Sequence, residues 1–163
     1  MDTAAGDLTA YDRSSARKRV SAGVLFFDFE GRVLLVDPVY KEPWEIPGGA
    51  VERDESPRRG AAREVEEELG LTLEPGRLLG IDWTPPRPGR SEAMAVIFDG
   101  GVLSAEEVTA IRLQAAELRA FTFVDSDRVP ERLTPVLARR VRACVEVRHL
   151  GVTVCLENGV PVG

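Results

Sequence analysis

Runs of Val, Leu, Ile and Phe alternate along the chain with short polar breaks that contain Gly, Pro, Asn or Asp. Apolar runs of this length between turn-forming residues are typical of the strands of a buried or half-buried sheet. They predict strands over Val20–Phe29, Arg32–Val36, Leu78–Trp83, Ser91–Asp99, Val108–Leu113, Arg119–Val124 and Val152–Leu156. For Val108–Leu113, the Ala and Glu residues around it leave a helix as the alternative. Turns are predicted at Glu30–Gly31, Pro47–Gly49, Gly100–Gly101 and Glu157–Gly159.

In two segments the sequence pattern is instead that of a helix. In Pro57–Leu69 the small and apolar side chains recur every four residues, after a Ser-Pro start and before a Gly. Ser caps free amides, Pro is tolerated in the first turn, and Gly ends a helix in a left-handed conformation. Thr134–Pro135 repeats this start and predicts a second helix to about His149. The elements predict an α+β fold, in which a mixed sheet has one helix on each face.

The chain has 163 residues, which suits one domain with a full core. The first residues are polar, so we predict a flexible N-terminal lead-in over residues 1–16 and a single domain over residues 17–163. No run of about 18 apolar residues occurs, so a membrane partner is not expected. The two cysteines, Cys144 and Cys155, lie in apolar surroundings and are predicted to be buried thiols in a reducing, cytoplasmic environment.

The net charge is −6, which argues against a nucleic acid polymer as partner, because phosphate backbones are bound by clustered Lys and Arg. The one basic cluster, residues 13–19, is predicted to be a solvated arm. An acidic protein that handles phosphates needs another source of positive charge, and a bound divalent metal ion supplies it.

The helix Pro57–Leu69 concentrates acidic residues. Glu64, Glu67 and Glu68 fall on one face, because residues three and four apart are neighbours on a helix. Crowded carboxylates repel each other unless a cation lies between them, and oxygen ligands select Mg²⁺ or Mn²⁺. The Gly48–Gly49 turn just ahead has no side chains, so its backbone can approach an ion or a phosphate. Taken alone, Glu66–Glu68 are better explained as a solvated helix face with local ion pairs, and only the complete spacing of the segment favours a site.

Residues 49–71 follow the pattern Gly-x5-Glu-x7-Arg-Glu-U-x-Glu-Glu-x-Gly-U, in which U is a bulky apolar residue. Every position matches, namely Gly49, Glu55, Arg63, Glu64, Val65, Glu67, Glu68, Gly70 and Leu71. The segment resembles the Nudix box, and the order of strands and helices from Val20 to Ala143 is similar to that family. The resemblance implies a Nudix-type α/β/α sandwich around a mixed sheet. It also implies hydrolysis of a nucleoside diphosphate that is linked to a moiety X.

The resemblance implies roles for individual residues as well. Glu64, Glu67 and Glu68 would hold Mg²⁺, or Mn²⁺, together with the Gly48 carbonyl. Arg63 would orient these carboxylates. Glu64 or Glu67 is alternatively the base that deprotonates the attacking water.

Two further acids have implied roles outside this set. Glu55 would be a supporting acid near the metal ligands. Glu117 is similar in placement to a distal glutamate that some Nudix members add as a ligand or base. The alternative for Glu117 is an exposed loop acid without a role in the site.

The expected partner is a small-molecule nucleotide. Pro86 lies sixteen residues after the last glycine of the box and is similar to a proline of ADP-ribose-cleaving members, so ADP-ribose or a nucleotide sugar is favoured. The alternatives are a MutT-like nucleoside triphosphate hydrolase and a non-catalytic nucleotide sensor, and a homodimer is an alternative to a monomer. Candidate substrate-binding residues are Trp44, Gly49, Glu55, Trp83, Arg87 and Arg90, although core packing or a free surface position would also explain the tryptophans and arginines.

Overall fold

An eight-stranded mixed sheet forms the centre of the computed structural model, which describes residues 9–163. The strands are β1 (Arg19–Phe27), β2 (Val33–Pro38), β3 (Gly48–Ala50), β4 (Leu78–Thr84), β5 (Ala93–Val102), β6 (Leu118–Val124), β7 (Val154–Glu157) and β8 (Val160–Pro161). The helices are α1 (Ala10–Ser14), α2 (Pro57–Leu69), α3 (Ala105–Ala110) and α4 (Pro135–Leu150), with a 3-10 turn at Val129–Glu131.

The strand order is β6-β2-β1-β5-β4-β7-β8, and β3 pairs with β1 outside this path. The pairs β1–β5 and β4–β7 are parallel, whereas the other pairs are antiparallel. Because β5 occupies one edge of β1, the other edge is shared by β3 over Ser21–Gly23 and by β2 at Phe27. This sharing places the glycine turn before α2 within the sheet.

Side chains of β1 alternate between two hydrophobic cores, as expected for a strand that is covered on both faces. Leu25 and Phe27 pack with α4, whereas Val24 and Phe26 pack with α2. The sheet therefore has one long helix on each face. This arrangement confirms the predicted α+β fold with its α/β/α layers.

Helix α2 has the bounds that the sequence predicts, because both of its ends are set locally. The Ser56 hydroxyl accepts a hydrogen bond from the Arg59 amide at 3.3 Å, and Pro57 lies in the first turn. Gly70 ends the helix with a φ of 68°, and Gly151 ends α4 in the same way with a φ of 72°.

The predicted strand Val108–Leu113 is wrong, because its first half lies in α3. The Ser104 hydroxyl accepts a hydrogen bond from the Glu107 amide at 3.1 Å, and the Glu107 carboxylate accepts one from the Ser104 amide at 2.7 Å. This reciprocal capping box satisfies two amides at the helix start. Local capping thus outweighs the strand preference of the β-branched residues in the segment.

The predicted turn at Gly100–Gly101 is also wrong, since both residues belong to β5, which runs to Val102. Gly101 has a φ of 76° next to a register shift between β5 and β1, so the glycines form a bulge instead of a turn. The predicted turn at Pro47–Gly49 likewise contributes both of its glycines to β3.

Only one of the two cysteines is buried. Cys144 lies on α4 in the core, and burial raises the pKa of its thiol to about 12. Cys155 is exposed, so the prediction of two buried thiols is wrong for this residue. The reason is the alternation of β7, in which the neighbouring Leu156 points into the core.

Half of the predicted lead-in, residues 1–8, lies outside the described residues. Helix α1 follows them and buries none of its residues. From residue 9 onward, no helix combines the length and the apolar character that crossing a membrane requires.

A buried ion pair joins α4 to the sheet. The side chain of Asp82 on β4 is fully buried, and the Arg140 Nε donates to its Oδ2 at 2.7 Å. The other oxygen, Oδ1, accepts a hydrogen bond from the Gly159 amide at 3.1 Å. Both carboxylate oxygens are thus satisfied, and the C-terminal hairpin β7–β8 is tied to the sheet interior.

We expect Arg140→Met to lower the free energy of unfolding by about 3–5 kcal/mol, because loss of one partner leaves a buried charge uncompensated. Urea denaturation followed by circular dichroism measures the change. The control, Arg128→Met, removes an exposed ion pair with Glu131 and should cost about 1 kcal/mol or less. Equal losses in the two variants would contradict the conclusion that Asp82 and Arg140 form a buried ion pair that stabilises the fold.

Candidate active site

Helix α2 carries three acids at different depths. Glu68 is only 8% exposed, whereas 15% of the Glu64 side chain and 55% of the Glu67 side chain are exposed. The difference follows from helix geometry, because Val65 and Leu69 pack into the core on the adjoining face. The acids therefore extend from the protein interior to solvent along one side of the helix.

Arg63 uses every hydrogen-bond donor that it has. Its Nε and Nη2 donate to the two oxygens of Glu55 at 2.9 and 3.0 Å, and its Nη1 donates to Glu64 and Glu67 at 2.9 and 3.1 Å. A second Nη2 bond reaches the Ala50 carbonyl at 2.9 Å. A guanidinium has five N–H donors, so all five are occupied. This placement is consistent with the predicted role of Arg63 in orienting the acids.

Glu55 anchors this arginine at the start of the helix. Hydrogen bonds from Arg63 and from the Glu52 amide hold the pKa of Glu55 at about 2. Gly60 makes room for the carboxylate, since a Cβ atom there would lie 2.9 Å from the Glu55 Oε2. The geometry agrees with the supporting role predicted for Glu55.

Two glycines bring backbone close to the acids. A Cβ atom on Gly49 would overlap the carboxylate of Glu64. Gly48 has a φ of 142°, and a Cβ atom there would overlap the Ala22 carbonyl of β1. The Gly48 amide donates a hydrogen bond to the Glu68 Oε2 at 2.9 Å. Both positions therefore require glycine, and the turn and the acidic helix form one unit.

Burial is the main reason why the pKa of Glu68 rises to about 8. The hydrogen bond from the Gly48 amide opposes this rise, whereas the nearby carboxylates of Glu64, Glu117 and Glu45 add to it. Burial also raises the pKa of Glu64. The negative charge at this place is therefore only partly neutralised by the protein itself.

Glu117 approaches from the segment before β6. The Gln114 amide donates to the Glu68 carbonyl at 3.1 Å, and the Glu117 amide donates to the Gln114 carbonyl at 2.9 Å. These bonds attach the segment to the end of α2, and the charge of Glu117 then acts on both Glu64 and Glu68. The placement agrees with the sequence prediction, while the role of Glu117 stays a prediction.

Sequence reasoning missed Glu45. This residue forms an antiparallel bridge with Val36, its carboxylate pairs with Lys41, and its charge raises the pKa of Glu68. The available signal was alternation: Ile46 packs into the core on the α4 face, so the preceding side chain faces the α2 side. We call the following five side chains the acidic group: Glu45, Glu64, Glu67, Glu68 and Glu117.

The predicted substrate-binding residues do not gather in one place. Gly49 and Glu55 contact Glu64 and Arg63, as described above. The Arg132 guanidinium lies 4.6 Å from the centre of the Trp44 ring, and the ring also packs against the core on the α4 face. The structure thus supports the packing alternative for Trp44.

The other predicted substrate-binding residues lie near the connection between β4 and β5. Trp83 donates its indole N–H to the Glu92 carboxylate at 2.6 Å. Arg87 and Arg90 are exposed and pair with each other through backbone hydrogen bonds of 2.8 and 2.9 Å. Their part in substrate binding stays a prediction.

The donor set suits a hard divalent ion. Carboxylates and the backbone carbonyl of the glycine turn are the oxygen ligands that Mg²⁺ and Mn²⁺ prefer. Gly49 keeps open the space in front of Glu64 that any side chain would fill. Over residues 9–163, no three acidic, His or Cys side chains already converge as a metal-ligand group. The assignment of Gly48, Glu64, Glu67 and Glu68 as ligands therefore stays a prediction.

Residues 17–144 match the family model described as the NUDIX domain, and this span includes α2, the glycine turn and Glu117. The chain belongs to the NUDIX family. The resemblance found in the box is thereby confirmed. NUDIX enzymes generally use divalent metal ions, which agrees with the oxygen-rich donor set.

The alignments of this NUDIX chain with individual relatives differ in the share of each chain that they cover. It is 32% identical over 120 residues to a MutT-like protein of Streptomyces ambofaciens, an alignment that covers 74% of the chain and 71% of the relative. It is 46% identical over 72 residues to diphosphoinositol polyphosphate phosphohydrolase 2 of Rattus norvegicus, which is 44% of the chain. The chain spans only 40% of the length of that second relative.

A solved structure supports the same fold. The MutT protein from Methanosarcina mazei Go1 superposes with a TM-score of 0.66 and 27% sequence identity. The superposition covers 83% of this NUDIX chain and 99% of the other. The predicted Nudix-type fold is therefore confirmed.

We expect the metal-free protein to lose stability as the pH rises from about 4.5 to about 8, and Glu68→Gln to remove the part of this loss that Glu68 causes. In this window Glu68 stays protonated in the folded protein but ionises on unfolding. The unfolded state then binds fewer protons, so the free energy of unfolding falls with rising pH. Glutamine cannot ionise but can still accept the Gly48 hydrogen bond.

Urea titrations in EDTA at several pH values measure this difference. Glu66→Gln is the control, because Glu66 is exposed on the same helix and bonds only Thr72 among the described side chains. Parallel pH profiles for the wild type and Glu68→Gln would show that the prediction is wrong.

Proposed function

We propose that this NUDIX protein hydrolyses a pyrophosphate bond in a nucleoside diphosphate linked to a further moiety, with Mg²⁺ as cofactor. The observation that carries the proposal is the saturated Arg63, which holds Glu55, Glu64 and Glu67 beside the glycine turn. A solvated helix face needs neither a fully bonded guanidinium nor a glycine that makes room for a carboxylate. These two features favour a site over a merely charged surface.

The acids of α2 and Arg63 have different roles in this proposal. Glu64, Glu67 and Glu68 would hold Mg²⁺ together with the Gly48 carbonyl. Such an ion, when bound, polarises a phosphoryl oxygen and activates a coordinated water. Arg63 keeps Glu64 and Glu67 oriented. Glu64 or Glu67 is alternatively the base that accepts the proton of the attacking water, and burial raises the pKa of Glu64.

The substrate class that we favour is ADP-ribose or a nucleotide sugar. Pro86 lies in the exposed loop after β4. Some ADP-ribose-cleaving members of the family also carry a proline at this distance from the box. Arg87 and Arg90 follow in the same loop, and their exposed guanidinium groups suit a ribose or phosphate at the far end of such a substrate.

Three alternatives follow from the relatives and the box. The likeness to a MutT-like protein favours nucleoside triphosphates, whereas the likeness to a diphosphoinositol polyphosphate phosphohydrolase favours a non-nucleotide diphosphate. The third alternative, a non-catalytic nucleotide sensor, is the weakest, because every carboxylate of the box is present.

Location and assembly belong to the same proposal. We infer a small-molecule partner and no nucleic acid polymer from the net charge of −6 and the acidic site. Cytoplasmic location and the choice between monomer and homodimer stay predictions.

Glu67→Gln should lower kcat by about 100-fold or more, because it removes a carboxylate that binds the ion or accepts a proton. Chromatography of nucleoside monophosphate release in Mg²⁺ measures turnover, and circular dichroism checks the fold. Glu66→Gln on the same helix should retain activity. Mn²⁺ binding, followed by electron paramagnetic resonance, should weaken in Glu67→Gln only, and unchanged turnover and Mn²⁺ affinity would overturn the site.

Among ADP-ribose, a nucleotide sugar, deoxynucleoside triphosphates and a diphosphoinositol polyphosphate, we expect ADP-ribose or the sugar to have the highest kcat/KM. The physical reason is that the exposed loop after β4 offers donors to a second moiety that a triphosphate lacks. Phosphate and monophosphate release measured for each compound at one Mg²⁺ concentration gives the ranking. A higher kcat/KM for the triphosphates would contradict the favoured substrate class and support the nucleoside triphosphate alternative.

A further inference from the structure

The loop between β2 and β3 lies beside the acidic group and carries a lysine. The Val39 amide donates to the Glu117 carbonyl at 2.8 Å, which fixes the start of the loop. Glu45 forms two backbone hydrogen bonds of 2.9 Å with Val36, which fix its end. Between these points, the Lys41 ammonium forms an ion pair with the Glu45 carboxylate. Lys41 is therefore held at the border of the acidic group.

Two basic side chains form ion pairs with Glu55 or the acidic group in residues 9–163, and they differ in what they can still bind. Arg63 has five donors and five acceptors, so it has none left for a substrate. Lys41 has three donors, of which one meets Glu45. The two others have no hydrogen-bond acceptor among the described residues, and the ammonium lies 5.7 Å from the centre of the exposed Tyr40 ring.

An anionic substrate that approaches the acidic group needs a cation with free donors. The proposed Mg²⁺ would compensate Glu64 and Glu67, but the diphosphate still meets the charge of Glu117. Arg63 cannot turn toward the diphosphate without giving up a carboxylate. The Lys41 ammonium can keep its bond to Glu45 and donate to a phosphate oxygen at the same time. Lysine is well suited to this, because its compact charge binds phosphate in several geometries.

We propose that Lys41 binds the diphosphate of the substrate and that Glu45 positions its ammonium for this contact. The proposal rests on the proposed function, since it assigns a residue to the same site. Glu45 is a positioning residue here, and Lys41 is a binding residue. Neither belongs to the Nudix box.

The kinetic test is Lys41→Gln. We expect KM for the best nucleoside diphosphate substrate to rise about 10- to 100-fold, as for loss of a hydrogen bond to a charged group, with a much smaller change in kcat. Lys41→Arg keeps the charge and should recover most of the loss.

The matched control is Lys18→Gln. Lys18 pairs with Glu92 at 2.7 Å, and the exposed fractions of that pair, 40% and 26%, are close to the 36% and 32% of Lys41 and Glu45. This variant loses an equivalent ion pair away from the acidic group, while Glu92 keeps its hydrogen bond from the Trp83 indole, so KM should not change. A similar rise in KM for Lys18→Gln would overturn the proposal.

A double variant separates substrate binding from simple charge balance. If Lys41 only neutralises Glu45, the change Glu45→Gln should restore the KM of Lys41→Gln to the wild-type value. If Lys41 binds phosphate, the double variant keeps the high KM, because no donor replaces the ammonium. Restoration would therefore overturn the proposal.

A binding measurement is independent of turnover. The chain has two lysines, Lys18 and Lys41, so biosynthetic labelling with lysine carrying ¹³C at Cε gives two side-chain signals and leaves all three ammonium donors in place. Addition of ADP with Mg²⁺ should shift the Lys41 signal and leave the Lys18 signal in place. A Lys41 signal that does not move would overturn the proposal. If it moves while no substrate is hydrolysed, the proposed function fails and the binding role of Lys41 stands.

Discussion

The organisation of the site depends on the five hydrogen bonds of Arg63. Three carboxylates and one backbone carbonyl surround a single guanidinium, which fixes the box loop, α2 and the strand β3 relative to each other. Bidentate binding to Glu55 provides the strongest of these contacts. Without this one cation, the carboxylates of Glu64 and Glu67 would repel each other on adjoining turns of the helix. The positive charge of Arg63 therefore stabilises this part of the fold by itself, without an ion or a substrate.

Local signals made most of the framework predictable from sequence. The bounds of α2 follow from a Ser-Pro start and a terminal glycine, and β1 was expected because its apolar run is long. The contact of Arg63 with Glu67 was likewise expected, since the two residues are one helical turn apart. Where neighbours along the chain decide the structure, the sequence pattern is enough.

The remaining features depend on contacts between distant segments. The depth of Glu68 follows from the pairing of β3 with β1, and Glu45 joins the acids only because it bridges to β2. No local pattern specifies either pairing. The two wrong secondary-structure predictions differ in cause. The capping box that overrides strand preference in α3 is a local signal, whereas the bulge that absorbs Gly100–Gly101 in β5 depends on the pairing with β1.

The bond between the Gly159 amide and the Asp82 carboxylate has a practical consequence for work with this protein. The β7–β8 hairpin covers the buried carboxylate of Asp82. Proteolytic removal of the residues after β7 would therefore expose that carboxylate to water. The hairpin contacts α4 and β4, on the face opposite to the acidic helix. Clipped material would therefore denature at lower temperature while the acidic helix on the opposite face kept its contacts, and heat tolerance would be a sensitive check on the integrity of a preparation.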